Sequence, residues 1–404
     1  MREIKAGEYY RHFKGGQYQV TAIARDADTE EKVVVYQALY GEEDFWVRPY
    51  EEFAGEVDHE KYPEAEQTWR FETVSYTHLD VYKRQLPTSF EAVYDTGKPG
   101  KTVALMGEYD CLPEIGHGCG HNIIGTSAAG AGIVLKEVME KHGIGGVLKV
   151  LGTPAEEKGS GKAIMVRHGV FKGIDTALLM HPTEASMPDD ISFACVTLEF
   201  TFKGSPAHAA AFPWKGANAL SGVQLMFHAV DMMRLHFKDF SRVHGIITEG
   251  GTAHNTITAE AKAVFNIRAL EYEYMMELVD IIKDCARGAA IATRTEVEVQ
   301  QLDEVVKDIR NDKRMVDYVR KNMEFIGEDY IERDLTQGIG STDVGNVSHE
   351  IPTIQFYVRL KENVGTHTKE FAEAAGGEEG KRTLHQAVKL LAMSALDVFN
   401  EYNE

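Results

Sequence analysis

Cys119 and His121 are the residues whose types and spacing most clearly suggest chemistry. They lie two positions apart, flanked by Gly118 and Gly120, and glycine allows the backbone to turn both side chains toward one point. A thiolate and an imidazole suit zinc or a similar metal ion. By itself the pair is weak evidence, because a buried thiol beside an unrelated histidine is the more common arrangement.

An adjacent pair of carboxylates, Glu156 and Glu157, strengthens the metal hypothesis. Such a pair is more often a solvated acidic turn. Beside a metal, however, one carboxylate can coordinate while the other takes a proton from water and returns it to a leaving amine. His181 and His367 are further candidate ligands. All of these residues follow predicted strands, and the carboxyl ends of strands are where open α/β sheets place their chemistry.

The elements that must position these residues have an α/β pattern from residue 86 onward. Predicted strands at 90–94, 102–106, 147–151 and 177–180 alternate with helices such as 122–141, which indicates parallel βαβ units. Between 192 and 303 the order changes to β-α-β-β-α-β, typical of a ferredoxin-like module inserted into the first domain. Alternation resumes near 313 and ends in a helix over 378–400.

The first 73 residues have a different character. They hold 13 of the 38 aromatic residues and no cysteine, and short β-patterned runs separated by turns indicate a small β-rich module. The run G-E-Y-Y-R-H-F-K-G-G-Q-Y-Q-V and the later W-V-R-P resemble a small bacterial domain family of unknown function. That resemblance implies no catalytic role.

Residues 74–85 read V-S-Y-T-H-L-D-V-Y-K-R-Q. This string is similar to one translated frame of two head-to-head transposon ends used to prepare sequencing libraries, and such scars are excluded from fold reasoning. The alternative is an ordinary polar linker. We expect a junction scar at 74–85, with residues 1–73 and 86–404 derived from different genes.

Composition limits the partners and the compartment. The net charge of −20 argues against nucleic acid and anionic membrane as partners. No apolar run approaches the length of a bilayer span, and residues 1–16 lack the apolar core of a signal peptide. Four cysteines in 404 residues do not form a disulfide framework, so we expect a cytoplasmic protein.

Several motifs together give a more specific resemblance. The runs G-C-G-H-N, T-P-A-E-E, M-H-P, K-G-S-P-A-H-A-A and G-T-H-T resemble the zinc-type metallopeptidase and amidohydrolase family, especially its branch with cysteine in the metal site. Aminoacylases, p-aminobenzoyl-glutamate hydrolase and auxin-conjugate hydrolases belong to this family. The resemblance implies Glu156 as general acid/base. It implies one or two zinc or manganese ions held by Cys119, His121, Glu157, His181 and His367.

The resemblance also assigns supporting roles. Asp110 would orient a ligand behind the metal, and His208 and Asn255 in the inserted module would reach a substrate carbonyl or carboxylate. That module would also form the interface of a homodimer. Independently of the resemblance, the guanidinium of Arg268 can hold a substrate carboxylate bidentately; the alternative is an ordinary arginine on a surface strand. Where the family carries H-x-D, this chain has Glu108-Tyr109-Asp110, so the first histidine ligand is absent.

These expectations combine into a two-domain metallohydrolase preceded by the small β-rich module. A mostly parallel-sheet catalytic domain would span 86–191 and 304–404, with its N-terminal part missing, and would carry a ferredoxin-like α+β lid and dimerisation domain at 192–303. The expected reaction is hydrolysis of an amide bond in N-acyl amino acids or dipeptide-like small molecules through metal-activated water. The alternatives are an inactive chimeric or truncated gene product, and a cysteine hydrolase using Cys119 with His121.

Overall fold

The computed structural model describes residues 4–27, 29–38, 44–59, 61–64, 67–73, 81–83, 88–335 and 338–401. The chain divides into two compact units, Met1–Asp80 and Val81–Glu404. Most of the predicted junction at 74–85 lies outside the described residues. Its described part, Val81–Lys83, forms a strand of the larger unit.

The smaller unit is built on an antiparallel sheet with the strand order β4-β3-β2-β1-β5. The side chains of Tyr10, Phe53 and Phe71 fill its core, and the Phe53 and Phe71 rings stack 4.0 Å apart. This aromatic core explains the aromatic-rich composition of the segment. The elements are β1 (Tyr9–His12), β2 (Gln17–Arg25), β3 (Lys32–Ala38), β4 (Phe45–Pro49), α1 (Tyr50–Ala54) and β5 (Phe71–Thr73).

The larger unit holds two sheets and the helices that cover them. Its strands are β6 (Val81–Lys83), β7 (Phe90–Asp95), β8 (Thr102–Glu108), β9 (Val147–Thr153), β10 (Thr176–Thr183), β11 (Ala194–Lys203), β12 (Ser241–Glu249), β13 (Glu260–Ala269), β14 (Glu296–Gln301) and β15 (Thr353–Arg359). Its helices are α2 (His121–His142), α3 (Gly161–Arg167), α4 (Ala219–Met233), α5 (Tyr272–Thr293), α6 (Lys313–Ile326), α7 (Val344–Ser348), α8 (Lys369–Gly376) and α9 (Glu378–Asn400). None of these described helices is both long and apolar enough to cross a membrane.

The first sheet has the order β15-β10-β8-β9-β7-β6. Strands β15, β10, β8 and β9 run parallel, and β7 and β6 add an antiparallel edge. The helix α2 packs closely against β8, because a Cβ atom at Gly125 would lie only 2.8 Å from the carbonyl oxygen of Glu108. Glycine at this position therefore allows the helix that begins at His121 to sit directly on the strand that ends at Glu108.

The second sheet, formed within residues 192–303, has the order β12-β13-β11-β14 with every pair antiparallel. We call residues 192–303 the lid. The helices α4 and α5 pack against each other and against this sheet, and the side chains between them, such as Phe200, Phe265, Met226 and Ile282, are fully buried. The lid therefore has a hydrophobic core of its own.

Candidate active site

The candidate ligands meet at one edge of the parallel strands. Glu156 and Glu157 follow β9, His181 lies near the carboxyl end of β10, and His367 follows β15. His121 is the first residue of α2, directly after the loop that leaves β8. Because the parallel strands share one direction, all of these carboxyl ends lie at the same edge of the sheet.

Five side chains converge there closely enough to share metal ions. The sulfur of Cys119 lies 3.5 Å from His181 Nε2. Glu157 links two histidines, since its Oε1 lies 3.8 Å from His121 Nε2 and its Oε2 lies 3.6 Å from His367 Nε2. Among these five side chains alone, two triplets have all their ligand atoms within 4.8 Å of one another, and Cys119 belongs to both. These triplets are Cys119–His121–His181 and Cys119–Glu157–His367.

The donor atoms fit a bound metal. His121 Nε2 and Glu157 Oε1 are buried, and neither has a hydrogen-bond partner among the described residues. Buried polar atoms are normally paired, so two such atoms facing each other indicate a missing partner. A thiolate, imidazoles and a carboxylate are the donors that zinc takes. A divalent ion at this point would satisfy both orphaned atoms.

Both buried histidines present the same nitrogen to the cluster. His121 Nδ1 donates to Asp110 Oδ1 over 3.1 Å, and His181 Nδ1 donates to the carbonyl oxygen of Pro182 over 2.8 Å. Each bond holds the proton on Nδ1 and leaves Nε2 available as a ligand. Asp110 also accepts a hydrogen bond from the backbone N–H of Glu157 over 3.0 Å. It therefore orients two of the proposed ligands.

Burial and neighbouring charge set the protonation of this cluster. Burial raises the pKa of the Cys119 thiol well above its usual range, and the charges of Glu157 and Glu156 raise it further. Burial lowers the pKa of His181 to about 4. For His121 burial lowers the pKa, but the hydrogen bond to Asp110 and the nearby carboxylates raise it to about 9. A metal ion must therefore displace protons from Cys119 and His121 when it binds.

Glu156 lies beside the ligand cluster, with a carboxylate oxygen within 4.8 Å of ligand atoms of His121 and Glu157. It is partly exposed and lines a cavity of the larger unit. Burial raises the pKa of its carboxyl well above the usual range, and the charges of Glu108 and Asp343 raise it further. A raised pKa makes a carboxylate a stronger base, which suits a group that must accept a proton and return it.

Three buried charged residues to which the sequence patterns gave no role lie next to Glu156; they are Glu108, Lys162 and Asp343. Lys162 Nζ lies 2.6 Å from Glu108 Oε1 and 2.6 Å from Asp343 Oδ1. Burial lowers the pKa of Lys162, but the charges of Asp343, Glu108 and Glu156 together raise it above its usual range, so the ammonium stays charged. The sequence offered weak signals: Glu108 stands where the family has its histidine, and Asp343 lies in a Gly-Ser-Thr-Asp turn.

Arg268 on β13 reaches the cavity between the lid and the sheet edge. This cavity has a volume of about 1250 Å³ and is lined by Cys119, Glu156 and His367 as well as by Arg268. The guanidinium of Arg268 donates to Asn266 Oδ1 over 2.7 Å and to Ser341 Oγ over 3.3 Å. Arg268 therefore connects the lid, through Asn266, to the second segment of the catalytic domain, through Ser341.

His208 and Asn255 are neighbours in the lid but lie outside the lining of that cavity. Residues His208 and Thr256 form an antiparallel bridge, and the N–H of Ala209 donates to the carbonyl oxygen of Asn255 over 3.0 Å. Both side chains are exposed. The structure brings the two together, as their proposed common role requires, but leaves them separate from the ligand cluster within one chain.

Both units of the chain resemble known proteins. Residues 104–390 match the sequence model of peptidase family M20/M25/M40, and residues 8–73 match that of a protein of unknown function, DUF1653. The chain is 35% identical to the Xaa-Arg dipeptidase of Mus musculus over 324 residues, which is 78% of this chain and 75% of that protein. It is 39% identical to one subunit of the p-aminobenzoyl-glutamate hydrolase of Escherichia coli over 232 residues, 53% of this chain and 48% of that protein.

A solved structure shows the same fold. It is a dinuclear metal-binding peptidase from Bacillus subtilis, which superposes with a TM-score of 0.61 at 18% identity and covers 79% of this chain and 88% of its own. At that identity the likeness concerns the fold.

Proposed function

The chain belongs to peptidase family M20/M25/M40, and on that premise we propose that it cleaves dipeptides or N-acyl amino acids with Glu156 as general acid/base. It is a metal-dependent amidohydrolase or peptidase that acts on amide bonds. The observation that supports the residue assignment is the convergence of one thiol, one carboxylate and three imidazoles beside a carboxyl group whose pKa is raised.

The proposed metal ligands are Cys119, His121, Glu157, His181 and His367. They would hold one or two ions, since the groups Cys119–His121–His181 and Cys119–Glu157–His367 each bring three ligand atoms together. Zinc and manganese are the candidate metals, since thiolate and imidazole favour zinc and carboxylate suits manganese. Bound there, the metal would polarise the substrate carbonyl and lower the pKa of water.

The residues of the chain supply the remaining chemistry. Glu156 takes the proton of the attacking water and delivers it to the leaving amine, because burial raises the pKa of its carboxyl and so strengthens the carboxylate as a base. Asp110 keeps His121 in the tautomer that binds metal. Arg268, at the cavity wall, binds the carboxylate of the substrate through its planar fork of donors.

His208 and Asn255 would stabilise the negative charge that develops on the substrate carbonyl oxygen. Because both are exposed and outside the cavity lining, they reach the substrate only if the lid closes or if a second copy of the chain supplies them. We favour a homodimer formed through the lid. The strand β12 is an edge strand, and Ile246 on it is 66% exposed. An exposed apolar edge of this kind is suited to pairing with a second copy.

We propose that a dipeptide with a basic C-terminal residue is the preferred substrate. The Xaa-Arg dipeptidase of Mus musculus supports this choice. Charge supports it as well, since carboxylates outnumber the cations Lys158, Arg268 and Arg333 among the described residues that line the cavity. The p-aminobenzoyl-glutamate hydrolase of Escherichia coli suggests an acidic amide as the second substrate to test.

A substrate panel tests the proposed function directly. Full-length protein loaded with zinc or manganese would be assayed with Xaa-Arg and Xaa-Glu dipeptides, p-aminobenzoyl-glutamate and N-acetyl amino acids. We expect hydrolysis of at least the basic dipeptides, loss of activity with a chelator, and recovery when the metal is returned. A folded, metal-loaded chain that cleaves none of these amides would contradict the proposal.

A cysteine hydrolase is the second candidate. The sequence suggested His121 as the base for Cys119, but the imidazole that lies 3.5 Å from its sulfur belongs to His181. The pKa of the thiol argues against it, since burial and then the charges of Glu157 and Glu156 keep the sulfur protonated when no metal is present. Cysteine nucleophiles react as thiolates. Activity that persists in a chelator would favour this candidate over the metalloenzyme.

The third candidate is an inactive product of a fusion at residues 74–85. Soluble, folded protein that carries zinc or manganese after purification would exclude it.

We place the active form in the cytoplasm, because the described cysteines are all free and Cys119 must stay reduced to bind metal.

A further inference from the structure

Lys162 is completely enclosed in the protein next to Glu156. Its ammonium nitrogen lies 2.6 Å from a carboxylate oxygen of Glu108 and 2.6 Å from one of Asp343. The backbone N–H of Lys162 donates to the other oxygen of Asp343 over 2.8 Å. A buried lysine is tolerated only when it is paired, and both of its partners are buried as well.

This ion cluster contacts the proposed catalytic apparatus on two sides. Glu108 Oε2 lies 3.5 Å from His121 Nε2, one of the proposed ligand atoms. Carboxylate oxygens of Glu156 lie within 4.8 Å of those of Glu108 and Asp343. Glu108 ends β8, whereas Asp343 directly precedes α7, so Lys162 on α3 joins the first and second segments of the catalytic sheet at the general acid/base.

Three carboxylates therefore surround one ammonium. Like charges at this separation repel one another strongly where water is excluded. Glu108 and Asp343 are each 1% exposed and bind the ammonium, whereas Glu156 is partly exposed and lines the cavity. Glu108 and Asp343 are both paired with the ammonium of Lys162, so Glu156 is the carboxylate of the three that is left to face the cavity.

We propose that Lys162 is a positioning residue that keeps the Glu156 carboxyl turned toward the substrate by binding Glu108 and Asp343. This inference rests on the proposed function, in which Glu156 transfers the proton. Without the ammonium, Glu108 and Asp343 repel each other and their neighbour. Without the charge of Asp343, the ammonium is drawn to Glu156 and pairs with the base. Either change withdraws Glu156 from the substrate.

Two substitutions test this role. In Lys162→Met the ammonium is lost, and in Asp343→Asn the charge is lost while the shape and a hydrogen-bond acceptor remain. Asp343→Asn therefore covers the case in which Lys162→Met fails to fold. For both we expect kcat on a basic dipeptide to fall on the order of a hundredfold, the effect of a roughly 1 Å displacement of a catalytic group, with KM unchanged. Metal content per chain should also be unchanged.

Lys149→Met is the matched control. It removes a lysine on β9 that pairs with Glu91 at 2.5 Å, away from Glu156, and should keep the wild-type kcat. A wild-type kcat per metal-loaded chain in Asp343→Asn would overturn the inference, and so would losses confined to stability or metal content. Failure of the proposed function would be seen separately, as a wild-type chain that hydrolyses no amide.

Discussion

The sulfur of Cys119 lies 3.5 Å from Nε2 of His181, although 62 residues separate them in the chain. Cys119 lies in the loop that follows β8, and His181 lies in β10. These two strands are neighbours in the parallel sheet. The fold therefore brings two soft ligands together at the sheet edge. This contact adds His181 to a Cys-x-His pair that is weak evidence in the sequence by itself.

Cys119→Ser should weaken metal binding at least tenfold, because a hydroxyl is a much poorer ligand for zinc than a thiolate. Elemental analysis of protein purified with a limiting amount of zinc measures this effect. Cys111→Ser is the matched control, since Cys111 is exposed in the same loop. Equal metal content in the two variants would contradict the assignment of Cys119.

Asp110→Asn should lower activity and metal affinity roughly 10- to 100-fold, the usual effect of losing a carboxylate that orients a metal ligand. Asparagine can present its amide N–H to His121 Nδ1, which disturbs the tautomer that directs Nε2 at the metal. Asp95→Asn, an exposed change at the end of β7, serves as control. Zinc titration and kinetic assays should give a lower zinc affinity and a lower kcat for Asp110→Asn than for Asp95→Asn. Equal values in the two variants would show that Asp110 has no orienting role.

Mixing experiments can locate His208. In the proposed homodimer, His208 of one subunit serves the site of the other. When Glu156→Ala and His208→Ala subunits are mixed, half of the dimers contain one subunit of each kind, and each of these dimers has one complete site out of two. The mixture should therefore recover roughly a quarter of the wild-type activity. Glu156→Ala mixed with Cys119→Ser gives no complete site and is the negative control. The design requires that His208→Ala alone is inactive; if the first mixture then stays inactive after exchange of subunits is verified, His208 acts within its own chain.

Acid should destabilise the smaller unit through His12. Burial lowers the pKa of His12, and Arg48, Arg70 and Lys14 lower it further, to about 4 from an ordinary 6.5. Between pH 4 and pH 6.5, His12 is therefore protonated more in the unfolded chain than in the folded one. Neutral His12 makes its full contribution to the free energy of unfolding above pH 6.5, and this contribution is lost as the pH falls toward 4. Hydrogen exchange of peptides from residues 8–73 in denaturant at pH 7 and pH 5 measures this.

The variant His12→Gln should flatten that pH dependence, whereas His59→Gln, an exposed change in the same unit, should preserve it. An unchanged pH dependence in His12→Gln would show that other groups control the acid stability of this unit.

The strands that end in the site could be predicted closely from sequence. The run predicted at 102–106 is observed as Thr102–Glu108, and that predicted at 147–151 as Val147–Thr153. Continuous apolar runs bounded by glycine or polar residues define buried strands well. The prediction ended each strand early because Glu108 and Thr153 are buried although they are polar.

One helix boundary was less accurate. The apolar pattern favours one continuous helix over 216–236, whereas α4 spans Ala219–Met233 and a 3₁₀ turn follows at Arg234–His236. The helix starts late because the side chain of Asn218 accepts hydrogen bonds from the N–H groups of Leu220 and Ser221 and so caps it. The apolar pattern alone did not reveal this cap.

The Lys162 cluster could not be derived from the sequence. Lys162 and Asp343 are 181 residues apart, and each looks locally like an ordinary surface residue near glycine. Only the fold shows that both are buried and paired beside Glu156. Charge pairs of this kind become visible when burial and distance are known.

The most direct test of the central claim is the turnover of Glu156→Ala in the metal-loaded enzyme. The change removes the proposed proton carrier but none of the five proposed ligands. Turnover of the substrate cleaved by the wild type should therefore fall by at least about 10²-fold, the lower end of what general acid/base catalysis contributes. Zinc or manganese content should match that of the wild type. A variant with full metal and wild-type kcat would contradict the account.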